Sequence, residues 1–180
     1  MIREISAGGV VVRRVEDGWE MAVIEPQREP PGDEAGAIAK RKSQKVVLAL
    51  PKGLVDAGEK SEETAIREVR EETGLSAAPV AKLRDIKYVY VRTWGDKQRV
   101  FKIVSFFLLK YESGRIDEID SEMRIEVRQA LWIPLEGAER KLAYSGEKEV
   151  VRLAQEYLKS HFDEVDAIGA EPSRVAKKTK

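Results

Sequence analysis

The stretch that most constrains this chain is a helix beginning near Ser61, because it must bury one side while carrying three glutamates close together. Ala65, Ile66, Val69 and Thr73 fall at i, i+1, i+4 and i+8, an apolar stripe at about 100° per residue. Ser61 suits the N-cap, Glu62 and Glu63 suit the positive end of the helix dipole, and Gly74 suits the C-terminus. On the same wheel Glu68, Glu71 and Glu72 share an arc of roughly 100°, expected on a flank away from the stripe. Like charges at this spacing cost an isolated helix a few tenths of a kcal/mol each. A solvated acidic face would explain them in a chain that is 36% charged. A hard divalent cation would remove the conflict, since carboxylate oxygens are the ligands that Mg²⁺ and Mn²⁺ prefer.

Strand signals surround this helix. Residues 5–13, with Val10, Val11 and Val12, read as a buried strand interrupted by Gly8 and Gly9, where a bulge is favoured over close approach of a ligand or another backbone. Glu16-Asp17-Gly18 reads as a turn, and residues 19–25 alternate as a second strand. Residues 26–45 hold three prolines and no periodicity. They are expected as a long loop, either a solvated insertion or a lid bringing Arg28, Lys40, Arg41 and Lys42 to a polyphosphate. A short strand at 46–50 leads into Pro51-Lys52-Gly53. The chain turns extended from Pro79, and residues 87–93 and 99–110 suggest a hairpin around Trp94-Gly95-Asp96. Residues 130–133 predict a last strand and 135–142 and 146–160 two helices, the second with Val150, Val151, Ala154, Tyr157 and Leu158 at helical spacing. One domain over 1–162 is expected, with 163–180 a flexible tail.

Composition excludes several classes. Lys plus Arg and Asp plus Glu both total 32, so no basic field favours nucleic acid. The absence of cysteine removes disulfides and thiolate zinc sites and is compatible with a reducing interior. The N-terminus carries Glu4 and only a short apolar run, which suggests neither a signal peptide nor a membrane span, and a cytoplasmic protein is expected.

Residues 53–75 satisfy G-x5-E-x7-R-E-U-x-E-E-x-G-U without departure, through Gly53, Glu59, Arg67, Glu68, Val69, Glu71, Glu72, Gly74 and Leu75. Chance agreement of the seven fixed residues at a given start is on the order of 10⁻⁷. The segment resembles the signature of the Nudix hydrolases, and the flanking strands extend the resemblance to about His161. The resemblance implies an α/β/α sandwich with a central mixed sheet, and a Mg²⁺-dependent enzyme, with Mn²⁺ as a substitute, that hydrolyses a phosphoanhydride bond.

It also implies roles. Glu68 and Glu72 would be the principal metal ligands, the main-chain carbonyl of Lys52 would complete the shell, and Glu71 would bind a further ion or orient the water. Arg67 would support catalysis by fixing loop and helix through Glu59 or Glu63. Glu126, before Ala130-Leu131-Trp132, is favoured over Glu122 as an extra ligand or general base. Gly53 and Gly74 would serve backbone geometry. His161 is expected to close a helix, not to catalyse.

Leu50-Pro51-Lys52-Gly53 resembles Nudix enzymes acting on dinucleoside polyphosphates or diphosphoinositol polyphosphates, with Lys52 facing the phosphates. Tyr88 and Tyr90 lie where the dinucleoside polyphosphate hydrolases place a substrate tyrosine, only one of the two being expected to face the site, against a core tyrosine as the alternative. Tyr144 and Lys148, within Leu142–Lys148, resemble base and phosphate contacts. A nucleotide or polyphosphate small molecule is therefore the expected partner, without membrane, and a homodimer is compatible. The alternatives are a pyrophosphohydrolase of oxidised nucleoside triphosphates, a diphosphoinositol polyphosphate hydrolase, and a non-catalytic Nudix-like module that senses a ligand or binds RNA.

Overall fold

A computed structural model describes residues 1–27, 46–92 and 97–168. Its centre is β1 (Ile2–Val15), in which Ala7, Val10, Val11 and Val12 are wholly enclosed. A strand covered on both faces reads as a continuous apolar run instead of an alternating one. Val11 joins Ala7, Ala65, Val69, Leu75 and Leu109 beneath α1 (Ser61–Thr73), while Val10 and Val12 join Val23, Phe106, Val150 and Leu158 beneath α2 (Ser145–Ser160). Helices thus lie on both sides of one six-stranded sheet, the expected α/β/α arrangement.

The sheet is mixed. Its order is β4 (Leu75–Val91), β5 (Arg99–Gly114), β1, β2 (Gly18–Pro26), β6 (Val127–Pro134), with the short β3 (Lys52–Leu54) also paired to β1. β1 and β5 run parallel, from Ile2 opposite Val100 to Val12 opposite Lys110. The other pairs are antiparallel. Pro79 sits on the edge strand β4 at one of three register shifts, where a missing N–H is tolerated. The expected hairpin is present as β4 and β5, although its turn at 94–96 lies outside the described residues. So do the loop cations Arg28, Lys40, Arg41 and Lys42.

Several boundaries are corrected. No strand forms over 46–50, where only Leu48 and Ala49 make isolated bridges, to Leu142 and Ile24. The helix expected over 135–142 shrinks to a 3₁₀ turn at Ala138–Arg140, entered through Gly137 at φ 74°. Extended chain starts at Leu75, directly after α1. The expected tail begins with a short helix, α3 (Phe162–Ala167). Val165 is buried, and the Phe162 ring meets Trp19 edge-on at 6.0 Å. That apolar pair, too short to show a period, gives residues 162–167 a reason to fold back. Among the described residues no helix is long and apolar enough to cross a membrane.

Gly8 and Gly9 do not make a bulge, because the register with β5 is unbroken through both. Another backbone approaches instead. A Cβ at Gly8 would lie 2.6 Å from the Lys52 Cβ and 2.8 Å from Phe106, and Gly9 donates its N–H to the Pro51 carbonyl at 3.2 Å. Gly8→Ala should therefore destabilise the protein by about 1–3 kcal/mol, the usual range for overpacking. Denaturant unfolding checks this, and a variant as stable as the parent would refute the close approach.

Candidate active site

The loop between β3 and α1 is fixed by one guanidinium. Arg67 donates from Nε and Nη2 to the two oxygens of Glu59, each at 2.9 Å, and from Nη2 to the Leu54 carbonyl at 3.0 Å. Its Nη1 reaches Glu68 at 2.8 Å and Glu71 at 3.1 Å. Thr64 adds a hydroxyl bond to Glu59 at 2.6 Å. These bonds, the Arg67 pair foremost, hold the Glu59 carboxyl down at about 2. Of the two expected partners for Arg67, Glu59 is the one used. Glu63 instead accepts the Lys60 N–H at 2.9 Å, which makes Lys60 the N-cap and moves Ser61 into the helix. At the other end Gly74 takes the expected left-handed conformation, φ 81°, and donates to the Arg70 carbonyl at 2.9 Å.

The three glutamates part company. Glu68 and Glu72 border the buried stripe, 8% and 5% exposed, while Glu71 faces outward against Arg67. The wheel explains the correction: Glu72 lies seven residues from Ala65, nearly two full turns, and so returns to the inner side. Gly53 lies against Glu68 so closely that a Cβ there would overlap the carboxylate. Glu72 accepts the Lys52 N–H at 2.8 Å. Lys52 faces Gly8 in the antiparallel pairing, between the bonded pairs Gly9–Pro51 and Ile5–Val55, so its amide and carbonyl both point away from β1, toward Glu72.

Burial pushes the Glu72 carboxyl up to about 8, against the pull of the Lys52 amide and ammonium. Burial raises Glu68 as well, opposed by Arg67. Glu126, exposed at the end of a 3₁₀ turn (Ser121–Ile125), adds its negative charge to both, which brings the favoured acid into electrostatic range of the site. Glu122 is exposed in the first turn of the same element. Among the described residues no three acids converge to hold an ion by themselves, so the expected three-carboxylate cage is not preformed. Two enclosed carboxylates, a glycine hollow and a backbone carbonyl on the same side nonetheless make an oxygen-donor set suited to a hard cation whose remaining ligands are water or substrate.

On the α2 side of β3 lies a cleft of about 700 Å³. Lys52 enters it, with Nζ 3.4 Å from Glu147 and 6.0 Å from the centre of the Tyr144 ring. Burial works against this ammonium, but Glu147 and Glu72 outweigh it and hold the pKa above the ordinary value. Tyr88 also lines the cleft. Residues two apart on a strand share a face, so Tyr88 and Tyr90 lie together, rings 6.2 Å apart, although only Tyr88 lines the cleft. Tyr90 is committed elsewhere, donating to Glu4 at 2.9 Å. Lys148 is not part of the lining, and Glu147 stands in its place. Glu147 is only 3% exposed and accepts the Leu50 N–H at 2.9 Å. It was missed, yet its spacing from Val150, Val151, Ala154 and Leu158 already puts it on the buried stripe of α2. His161 closes α2 as expected, stacked on Tyr157 at 4.1 Å.

The pattern of the NUDIX domain matches residues 10–154. The chain is 32% identical over 160 residues to a protein of Mycobacterium tuberculosis (strain CDC 1551 / Oshkosh) named "Putative mutator protein MutT4", across 87% of this chain. It spans 56% of that relative's length. An Ap4A hydrolase of C. elegans, solved as a binary complex, superposes with a TM-score of 0.59 at 17% identity, covering 87% of this chain and 98% of that one. A NUDIX hydrolase from Nitrosomonas europaea gives 0.57 at 16% identity, covering 86% and 89%. At such identities the two structures share the fold.

The buried carboxyl has a thermodynamic consequence. With its pKa raised from 4.5 to about 8, Glu72 keeps a proton in the folded state that it loses in the unfolded state. The unfolded chain then binds fewer protons, so stability is full below about pH 4.5 and falls as pH rises through 8. In EDTA the Tm should drop between pH 5 and pH 9. Glu72→Gln should flatten that slope, and Mg²⁺ should restore the Tm of the parent at pH 9. An equal slope in parent and variant would overturn the assignment.

Proposed function

The chain belongs to the NUDIX family, and on that footing we propose that it is a divalent-cation-dependent hydrolase of phosphoanhydride bonds, best suited to a dinucleoside polyphosphate. The observation that carries this reading is the position of Lys52. Its amide grips Glu72 in the carboxylate site, and its ammonium projects into the cleft. A phosphate chain lying along the cleft would therefore deliver one phosphorus to the acidic site without changing partner.

In this reading Glu68 and Glu72 would hold Mg²⁺, or Mn²⁺ in its place, with the Lys52 carbonyl. When bound, the cation neutralises phosphate charge and lowers the pKa of attacking water. Glu71 would hold a further ion or orient the attacking water, and Glu126, exposed after the 3₁₀ turn, would accept that water's proton. Arg67 acts through position, keeping Glu68 and the β3 loop in place by its grip on Glu59. Lys52 neutralises the departing phosphate, while Tyr88 and Tyr144 offer aromatic surface to a base. A cleft of this size accommodates a nucleotide.

The second reading is hydrolysis of oxidised nucleoside triphosphates, and the relative whose name calls it a mutator protein keeps it in the comparison. Specific constants for dinucleoside polyphosphates, oxidised and ordinary nucleoside triphosphates and nucleotide sugars, measured with Mg²⁺ and Mn²⁺, decide between them. Absence of product across the panel refutes the hydrolase reading. Glu72→Gln should lower kcat/KM at least ~100-fold with the fold intact by circular dichroism. Undiminished turnover would remove Glu72 from the metal site.

A further inference from the structure

Lys102 is enclosed in the cleft and poorly matched there. It lies on β5 between Glu4 of β1 and Tyr88 of β4, on the sheet face that also carries Val104 and Phe106. Its side chain is 19% exposed, and its ion pair with Glu4 is long, 3.7 Å. Glu4 is already engaged, accepting from Arg92 at 2.9 Å and from the Tyr90 hydroxyl at 2.9 Å. Burial lowers the Lys102 pKa, and the like charge of Lys52 lowers it further. The other acids of the cleft do not offset this. Glu149 is paired with Arg84 at 2.8 Å, Asp85 with Lys82 at 2.9 Å, and Glu147 with Lys52 and the Leu50 amide.

Register places the two lysines. Lys52 is level with Gly8 on one side of β1, and Lys102 is level with Glu4 on the other. Both side chains stand on the same face and line the same cleft, from strands on opposite sides of β1 and four residues apart along it. A chain of several phosphates lying in the cleft offers separate oxygens to the two ammonium groups, where a shorter linkage has fewer to share. We propose that Lys102 is a second phosphate subsite in this cleft, remote from the carboxylates, and that it makes the protein prefer substrates with a long polyphosphate chain over those joined by a diphosphate alone. The inference rests on the hydrolase reading above for its kinetic form, but the binding site does not require turnover.

The test compares Lys102→Gln and Lys102→Arg with the parent. With Mg²⁺, the ratio of kcat/KM for a dinucleoside tetraphosphate to that for a nucleoside diphosphate sugar should fall about tenfold or more in Lys102→Gln, through KM. Lys102→Arg, which keeps the charge, should retain most of it. A general loss of fold would depress both substrates together, so an unchanged ratio overturns the proposal, as does equal damage by both variants. Calorimetric titration with inorganic tripolyphosphate and pyrophosphate in metal-free buffer separates the two readings. The parent should bind tripolyphosphate more tightly, and Lys102→Gln should lose that advantage. If no substrate is turned over, the hydrolase reading fails while this titration still decides the subsite. Equal tripolyphosphate affinity in parent and Lys102→Gln refutes it.

Discussion

Two carboxylates on adjacent turns of one helix are pressed against backbone, and the surroundings follow from that constraint. Enclosing an ionised carboxylate costs several kcal/mol unless charge or hydrogen bonds compensate. Glu72 receives one amide, from Lys52, and Glu68 one guanidinium, shared with Glu59 and Glu71. Neither is fully compensated, which is why both carboxyls hold protons more strongly than usual. The hollow at Gly53 has a purpose only because Glu68 is turned inward. A helix of this composition on an open surface would need none of these contacts.

The sheet supplies the matching rigidity. Gly8 lets the Pro51–Lys52 backbone approach β1 more closely than a side chain would allow, and the pairing then turns both polar groups of Lys52 toward α1. From the opposite layer Glu147 takes the Leu50 amide and faces the Lys52 ammonium. Three consecutive residues, Leu50 to Lys52, are thus held from both sides of the sandwich. A displacement of α2 would be felt at Glu72 through that segment, which Glu147 and Glu72 both hold.

Local chemistry was legible in the sequence wherever it was written at short range. The period of α1, the left-handed Gly74 and the Glu59–Arg67 pair depend on residues within a few turns of one another. The inward side of Glu72 was legible too, had its seven-residue distance from Ala65 been weighed against the assumption that acids avoid the stripe. Glu147 carried the same signal on α2. What pairing with distant chain decides was not legible: the close approach at Gly8, the reduction of residues 46–50 to bridges, and the short helix that Trp19 draws back through Phe162. Tyr88 and Tyr90 share a face by period alone, and only the contact with Glu4 separates their roles.

The parallel pairing of β1 with β5 has a consequence for synthesis. β1 is made before its partner on one side, which begins at Val100 opposite Ile2 and follows only after β2, β3, α1 and β4 have all emerged. Until then one edge of an apolar valine run stands unpaired, and long-range pairing of this kind is slow and exposed to aggregation. The nascent chain must shelter β1 until β5 is made, so the yield of this protein in a cell is tied to that interval as well as to the stability of the finished fold.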